Sequence, residues 1–136
     1  MPGIQKILIV EDNIALSKLY SEFLSKSGFI VDVSENGNKA LEKVSNNTPD
    51  LLFIDVMMPG MGGFELVRKL RREEQYGCTH SKMVLLTNLG KEQIPKDINE
   101  DIDGYALKAA IQLEDLLKII QSFDAHSADS SVATNQ

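Results

Sequence analysis

The sequence predicts an α/β domain in which five strands and five helices alternate as (βα)5 around one parallel sheet. Three observations carry this. Four short apolar runs, Ile7–Val10, Leu51–Ile54, Val84–Leu86 and Tyr105–Leu107, are continuous rather than alternating, the pattern of strands covered on both faces. Between them the apolar spacing changes to that of a helix. Strands separated by helices require right-handed crossovers, which give a parallel sheet with helices on both sides. At 136 residues, 43% hydrophobic and 25% charged, the chain suits one globular core.

Taken in order, the first strand ends at Glu11 and Asp12. Leu16, Leu19, Tyr20 and Phe23 then form an i, i+3, i+4, i+7 stripe, and Gly28 is placed to end that helix. Ile30–Val33 is the remaining strand, interrupted by Asp32 and therefore expected at an edge. Ala40, Leu41 and Val44 mark a second helix that stops before Pro49. The run Leu51–Ile54 ends at Asp55, and Gly60, Gly62 and Gly63 read as turn chemistry, since no P-loop or dinucleotide-binding glycine pattern is present. Leu66, Val67 and Leu70 mark a third helix, with Arg68, Lys69, Arg71 and Arg72 read as its solvated face. Thr87 and Asn88 follow the fourth run. In the acidic connection to Asp103, Ile94, Ile98 and Ile102 are spaced by four, which allows a short helix from about Pro95. Lys108 follows the fifth run, and Leu113, Leu116, Leu117 and Ile120, widened by Ile119, mark the last helix. Residues 4–123 are read as one domain and 124–136 as a polar tail or linker stub.

Composition excludes several function classes. Fourteen Lys and Arg against 20 Asp and Glu give a net charge of −6, which argues against a nucleic-acid partner. A single cysteine, Cys78, excludes an internal disulfide and a thiolate zinc site and fits a reducing compartment; with His80 and His126 it shows no ligand spacing. No apolar run approaches the roughly 20 residues of a bilayer span, and Met1–Lys6 lacks signal-peptide character. The expected setting is cytoplasmic, without membrane contact.

In an open parallel sheet, ligands bind at the carboxyl ends of the strands near the point where strand order reverses. The residues arriving there are Glu11, Asp12, Asp55, Thr87, Asn88 and Lys108. Carboxylates about 4 Å apart repel by roughly 4 kcal/mol per pair at an effective dielectric near 20, so the cluster needs protons or a cation. Mg²⁺ suits it, because it takes one or two carboxylates and keeps positions for water and phosphate oxygens. Asp55 stands alone at a strand end and is the candidate nucleophile, since an aspartate can form an acyl phosphate. Glu11 and Asp12 are the metal pair, Lys108 supplies charge and Thr87 a hydrogen bond to a phosphoryl oxygen.

The segments KILIVED (Lys6–Asp12), DLLFIDVMMPGMGGFEL (Asp50–Leu66), MVLLTN (Met83–Asn88) and GYALK (Gly104–Lys108) occur in the order and spacing of one family. The chain resembles the receiver domain of two-component response regulators, the CheY-like family. The resemblance implies a flavodoxin-like sheet in the order 2-1-3-4-5, with Asp55 as phosphoacceptor and Mg²⁺ on Glu11, Asp12, Asp55 and the backbone carbonyl of Met57. It also implies that Lys108 binds the phosphoryl group, and that Thr87 and Tyr105 form a switch pair. The implied donor is a histidine kinase or phosphotransfer protein. The implied output is altered contact with a downstream protein target, by a monomer or a weak phosphorylation-dependent dimer. Such a protein acts as a phosphorylation switch rather than as an enzyme on external substrates.

The chain departs from the family pattern at four places. Ala109 stands where proline in a cis bond usually follows the lysine. A cis bond before a non-proline residue costs about 3–4 kcal/mol, so a trans Lys108–Ala109 bond is expected. Asn88 replaces a small residue and is placed to narrow water access. Gly62 replaces an aspartate that often opens the third helix, and the Pro95 segment lacks the usual apolar helix. The loss of proline after Lys108 and the thin fourth helix motivate an alternative, a receiver-like binding module not regulated by phosphorylation. An aspartyl phosphohydrolase is disfavoured because no second aspartate lies two residues after Asp55, and a flavin site because Glu11 and Asp12 occupy the first loop. No DNA-binding or catalytic output segment is recognisable after the last helix.

Overall fold

The computed structural model describes residues 3–128. The elements alternate as the apolar runs require: β1 (Lys6–Val10), α1 (Ile14–Lys26), β2 (Ile30–Ser34), α2 (Gly37–Asn46), β3 (Leu51–Asp55), α3 (Gly63–Arg72), β4 (Lys82–Thr87), α4 (Lys96–Asp101), β5 (Gly104–Leu107) and α5 (Leu113–Ala128). The five strands form one parallel sheet in the order β2-β1-β3-β4-β5, with β2 at an edge as expected.

The apolar runs are continuous because successive residues feed two cores. Leu8, Val10, Leu52, Ile54, Met83 and Leu85 face α2, α3 and α4, where they meet Ala40, Val44, Leu66, Val67, Leu70 and Ile98. Ile7, Ile9, Leu51, Phe53, Val84 and Leu86 face α1 and α5, where they meet Tyr20, Leu24, Leu116 and Ile120. Each fully buried Leu, Ile or Val contributes about 1.5–3 kcal/mol, so neither face tolerates a polar residue in the central strands.

Three expectations need correction or extension. The buried face of α1 is Ser17, Tyr20 and Leu24, whereas Leu19 is 48% exposed. Ser17 tolerates burial because its hydroxyl donates to the Ile14 carbonyl at 3.1 Å. The basic stretch of α3 is partly solvated, with Arg72 exposed, but it is also paired with α4 and the turn after it. Arg68 and Arg72 pair with Asp97 on α4, Arg72 also with Asp101, and Arg71 reaches the Asp103 carboxylate at 2.6 Å. The Arg68 guanidinium holds the Asp97 carboxyl well below the usual carboxylate range, against a smaller opposing effect of burial. The Pro95 segment does form the short helix that its isoleucine spacing allows: Ile98 is fully buried and Ile94 nearly so.

The helix α5 continues to Ala128, past the expected boundary at residue 123; the rest of the expected tail lies outside the described residues. Cys78 is buried as a free thiol, which burial raises above its ordinary pKa. The side chain of His126 lies outside the described residues. No helix among the described residues is long and apolar enough to cross a membrane.

Candidate functional site

Strand order reverses at β1, whose neighbours are β2 and β3. The register pairs Val10 with Ile54, so the residues that leave β1 lie beside the end of β3. Glu11 is drawn inward there, 2% exposed, and its Oε2 accepts the Asn13 N–H at 3.0 Å. Asn13 caps α1 by accepting the Leu16 N–H at 3.0 Å, which fixes the turn that carries the acidic pair. Asp12 stays exposed. Asp55, the last residue of β3, is 4% exposed, with Oδ1 3.4 Å from the Met57 N–H.

Lys108 enters from the end of β5. Its N–H donates to the Thr87 carbonyl at 2.8 Å, and its ammonium bridges the two buried acids, 2.8 Å from Glu11 Oε1 and 3.3 Å from Asp55 Oδ2. Glu11, Asp12 and Asp55 each offer a carboxylate oxygen within 4.8 Å of the other two. At that separation two ionised carboxylates repel by roughly 3–4 kcal/mol at an effective dielectric of about 20, and one ammonium cannot neutralise three of them. The Asp55 carboxyl is accordingly pushed up from 3.8 to about 6, first by burial and then by Glu11, with Lys108 and the Met57 amide opposing. Burial works against the Lys108 ammonium, but the Glu11 and Asp55 carboxylates outweigh it and hold its pKa above the ordinary value.

These residues fit a small hard cation. The donor set is all oxygen, as Mg²⁺ requires. Glu11 Oε1 is fully buried and makes an ion pair with Lys108, yet no hydrogen bond of acceptable geometry reaches it. The site opens on a cavity of about 430 Å³ that Thr87, Asn88 and Met57 also line, so the position suggested for a Met57 carbonyl ligand lies at its wall.

Of the residues singled out from the sequence, Glu11, Asp12, Asp55, Met57, Thr87, Asn88 and Lys108 line this cavity, whereas Tyr105 does not and reaches it only through Leu89. Thr87 is buried, and its Oγ1 accepts the Leu89 N–H at 3.0 Å. Tyr105 is half-buried and its hydroxyl donates to the Leu89 carbonyl at 3.3 Å. Both members of the expected switch pair thus hold one residue, Leu89, which sequence reasoning did not single out. Also unforeseen is that Asn88 Oδ1 accepts the Ala109 N–H at 2.7 Å. Among the described residues no peptide bond is cis, and Lys108–Ala109 is trans as expected. The glycines act as turn chemistry: Gly60 has φ +73°, and Gly63 packs so closely that a Cβ would lie 2.6 Å from the Asp55 carbonyl oxygen.

Residues 7–121 match the family described as the response regulator receiver domain. The chain is 35% identical over 133 residues to hybrid signal transduction histidine kinase B of Dictyostelium discoideum, covering 90% of this chain and 7% of that protein. Over 104 residues it is 36% identical to the phosphate regulon transcriptional regulatory protein PhoB of Rhizobium meliloti, covering 76% of this chain and 45% of that one. The chain spans less than half the length of these two curated relatives. Among solved structures, a CheY-like response regulator receiver domain from Methylobacillus flagellatus aligns with a TM-score of 0.75 at 33% identity, covering 89% of this chain and 99% of that one. The response regulator protein TrrA from Thermotoga maritima, in complex with Mg²⁺ and BeF, aligns with a TM-score of 0.75 at 27% identity, covering 88% and 99%. Sequence match and superposition both run the length of the sheet that builds the acidic cleft, and on that ground the protein belongs to the response regulator receiver domain family.

Proposed function

We propose that Asp55 is the phosphoacceptor of a Mg²⁺-dependent signalling switch, with residues 4–123 as the functional unit. The observation that carries this reading is the state of Asp55. It is a buried carboxylate at a strand end, held by a lysine that it shares with Glu11, inside a cluster of carboxylate oxygens whose mutual repulsion a bound cation would relieve. Similarity to TrrA, solved with Mg²⁺ and BeF, supports the choice of ion and of phosphoryl group.

Glu11, Asp12, Asp55 and the Met57 carbonyl would hold Mg²⁺. When bound, the ion neutralises negative charge on the transferring phosphoryl oxygens. The chain's own residues do the rest. An Asp55 carboxylate oxygen attacks phosphorus in line; the donor's N–P bond breaks as the O–P bond of the aspartyl phosphate forms, and the electron pair leaves with the donor's imidazole. Lys108 exchanges its contact with the Asp55 oxygen for a phosphoryl oxygen, and the Thr87 hydroxyl donates a hydrogen bond to another. Catalysis is positional and electrostatic, so the protein promotes its own phosphorylation without a separate active site. The donor is a phosphohistidine of a histidine kinase or phosphotransfer protein, which similarity to a hybrid kinase supports. The response is a change around the ends of β4 and β5 that alters binding of a downstream protein in the cytoplasm, by a monomer or a weak dimer.

Labelling with acetyl phosphate in Mg²⁺ tests the reading. Wild type should take up one phosphoryl group, and Asp55→Asn and chelation should each abolish uptake. Undiminished labelling of Asp55→Asn overturns the assignment.

A further inference from the structure

Lys108 is the functional side chain with the longest reach, and the strand that delivers it is weakly anchored. β5 has four residues, none of them fully buried, and pairs with β4 alone. The Lys108 N–H makes the last backbone rung to β4, at the Thr87 carbonyl. The next backbone donor, Ala109 N–H, finds no carbonyl on β4. The Asn88 carboxamide takes it instead at 2.7 Å, while the Ala110 and Ile111 amides turn back to the Leu107 carbonyl, each at 3.1 Å. A side chain from the β4–α4 loop thus adds one rung to the ladder immediately beyond Lys108.

We propose that Asn88 is a positioning residue for Lys108: by capping the Ala109 amide it fixes the backbone just after the lysine, as the Thr87 rung fixes it at the lysine itself, and so sets where the ammonium meets a phosphoryl group. Asn88 and Ala109 are both exposed, so water replaces the bond readily and its removal has little effect on global stability. Its effect lies in placement. Lys108 is threaded between Glu11 and Asp55 at 2.8 and 3.3 Å, and a displacement of about 1 Å at such a group is enough to degrade function strongly. The inference rests on the reading of Asp55 as phosphoacceptor.

The test is the affinity of the whole chain for beryllofluoride with Mg²⁺, read by amide NMR, in Asn88→Ala, Asn88→Leu and Ala109→Pro backgrounds. Loss of the acceptor should weaken affinity about two- to tenfold, the worth of one net hydrogen bond, with the melting temperature nearly unchanged. Asn88→Leu, which keeps the bulk but not the oxygen, should behave as Asn88→Ala. In Ala109→Pro, which has no N–H to cap, Asn88→Ala should add nothing further. If Asn88→Leu matches wild type, or Asn88→Ala costs the same factor in both backgrounds, Asn88 acts by occupying space and the inference fails. Asn88→Leu decides alone should Ala109→Pro not fold. Wild type without any response refutes the phosphoacceptor reading and the inference with it; a responsive wild type with an unaffected Asn88→Leu refutes the inference only.

Discussion

Replacing Asp55 by Asn should stabilise the metal-free protein. In the folded state the Asp55 carboxyl titrates at about 6, raised from 3.8 by burial and by Glu11. A folded-state pKa above the unfolded one means that stability is highest below pH 4, falls as pH rises from about 4 to about 6, and stays low above that. At about 1.4 kcal/mol per decade, the interval amounts to roughly 3 kcal/mol of strain at neutral pH. Asparagine has the same shape and no charge, so it relieves that strain. It also loses the 3.3 Å contact with Lys108, but the lysine keeps Glu11 at 2.8 Å. A net gain of about 1–2 kcal/mol remains, which for a chain of this size raises the melting temperature by roughly 3–8 °C. Thermal unfolding in EDTA at pH 7.5 and pH 4 checks this, since the gain should be present at the first and nearly absent at the second. Saturating Mg²⁺ should shrink the difference at pH 7.5 by stabilising wild type more than the variant. A variant no more stable than wild type at pH 7.5, or equally stabilised at both pH values, refutes the claim that repulsion is concentrated on Asp55.

Three further substitutions probe the frame around the site. Asp12→Asn removes an exposed member of the oxygen cluster and should weaken Mg²⁺ binding by at least about tenfold by calorimetric titration, since a carboxylate–cation contact exceeds the ~1.4 kcal/mol that tenfold represents; unchanged affinity removes Asp12 from the ligand set. Arg71→Ala strips donors from the Cys78, Ser81 and Asp101 carbonyls and leaves the Asp103 carboxylate with the Met83 N–H but without its charge partner, at a cost of roughly 2–4 kcal/mol in urea unfolding; a loss below ~1 kcal/mol would show that water replaces the guanidinium. Gly63→Ala puts a Cβ 2.6 Å from the Asp55 carbonyl oxygen and 2.8 Å from Val56 Cα, backbone that cannot swing aside, and should cost about 1–3 kcal/mol together with slower acetyl phosphate labelling. Normal stability and labelling would mean that the β3–α3 turn shifts freely.

The sheet was legible because burial on both faces leaves no choice of residue: Leu51–Ile54 is apolar throughout since alternate members enter opposite cores. Glu11, Asp12, Asp55 and Lys108 were legible because parallel topology sends every strand end to one edge. What escaped local spacing was longer in range. Leu19 fits a helical stripe as well as Leu24 does, yet the turn that Asn13 caps sets the phase of α1 so that Ser17 and Leu24 face the sheet. Arg68 and Arg72 look solvated until α4 brings Asp97 and Asp101 against them. Asn88 and Ala109 read as two separate departures from the family pattern; 21 residues apart in sequence, they bond to each other.

The extent of any conformational response follows from competing magnitudes. Thr87 and Tyr105 both hold Leu89, one by its amide and the other by its carbonyl, so a shift of Thr87 toward a phosphoryl oxygen pulls on the same residue that the tyrosine grips. A hydrogen bond to a charged group supplies about 1.5–3 kcal/mol. Immediately after this loop, Ile94 and then Ile98 are seated in the core. Unseating the two would cost about 3–6 kcal/mol, a cost that the solvent-screened ion pairs from Arg68 and Arg72 to α4 can only increase. On the proposed reading, the pull from one threonine is smaller than the cost of displacing α4 as a body, and the motion expected is local to residues 88–93 and the tyrosine. On that reading the signal would be presented at the β4–α4 loop and along β5, where Leu107 is 46% exposed, rather than by repacking α4 against α3.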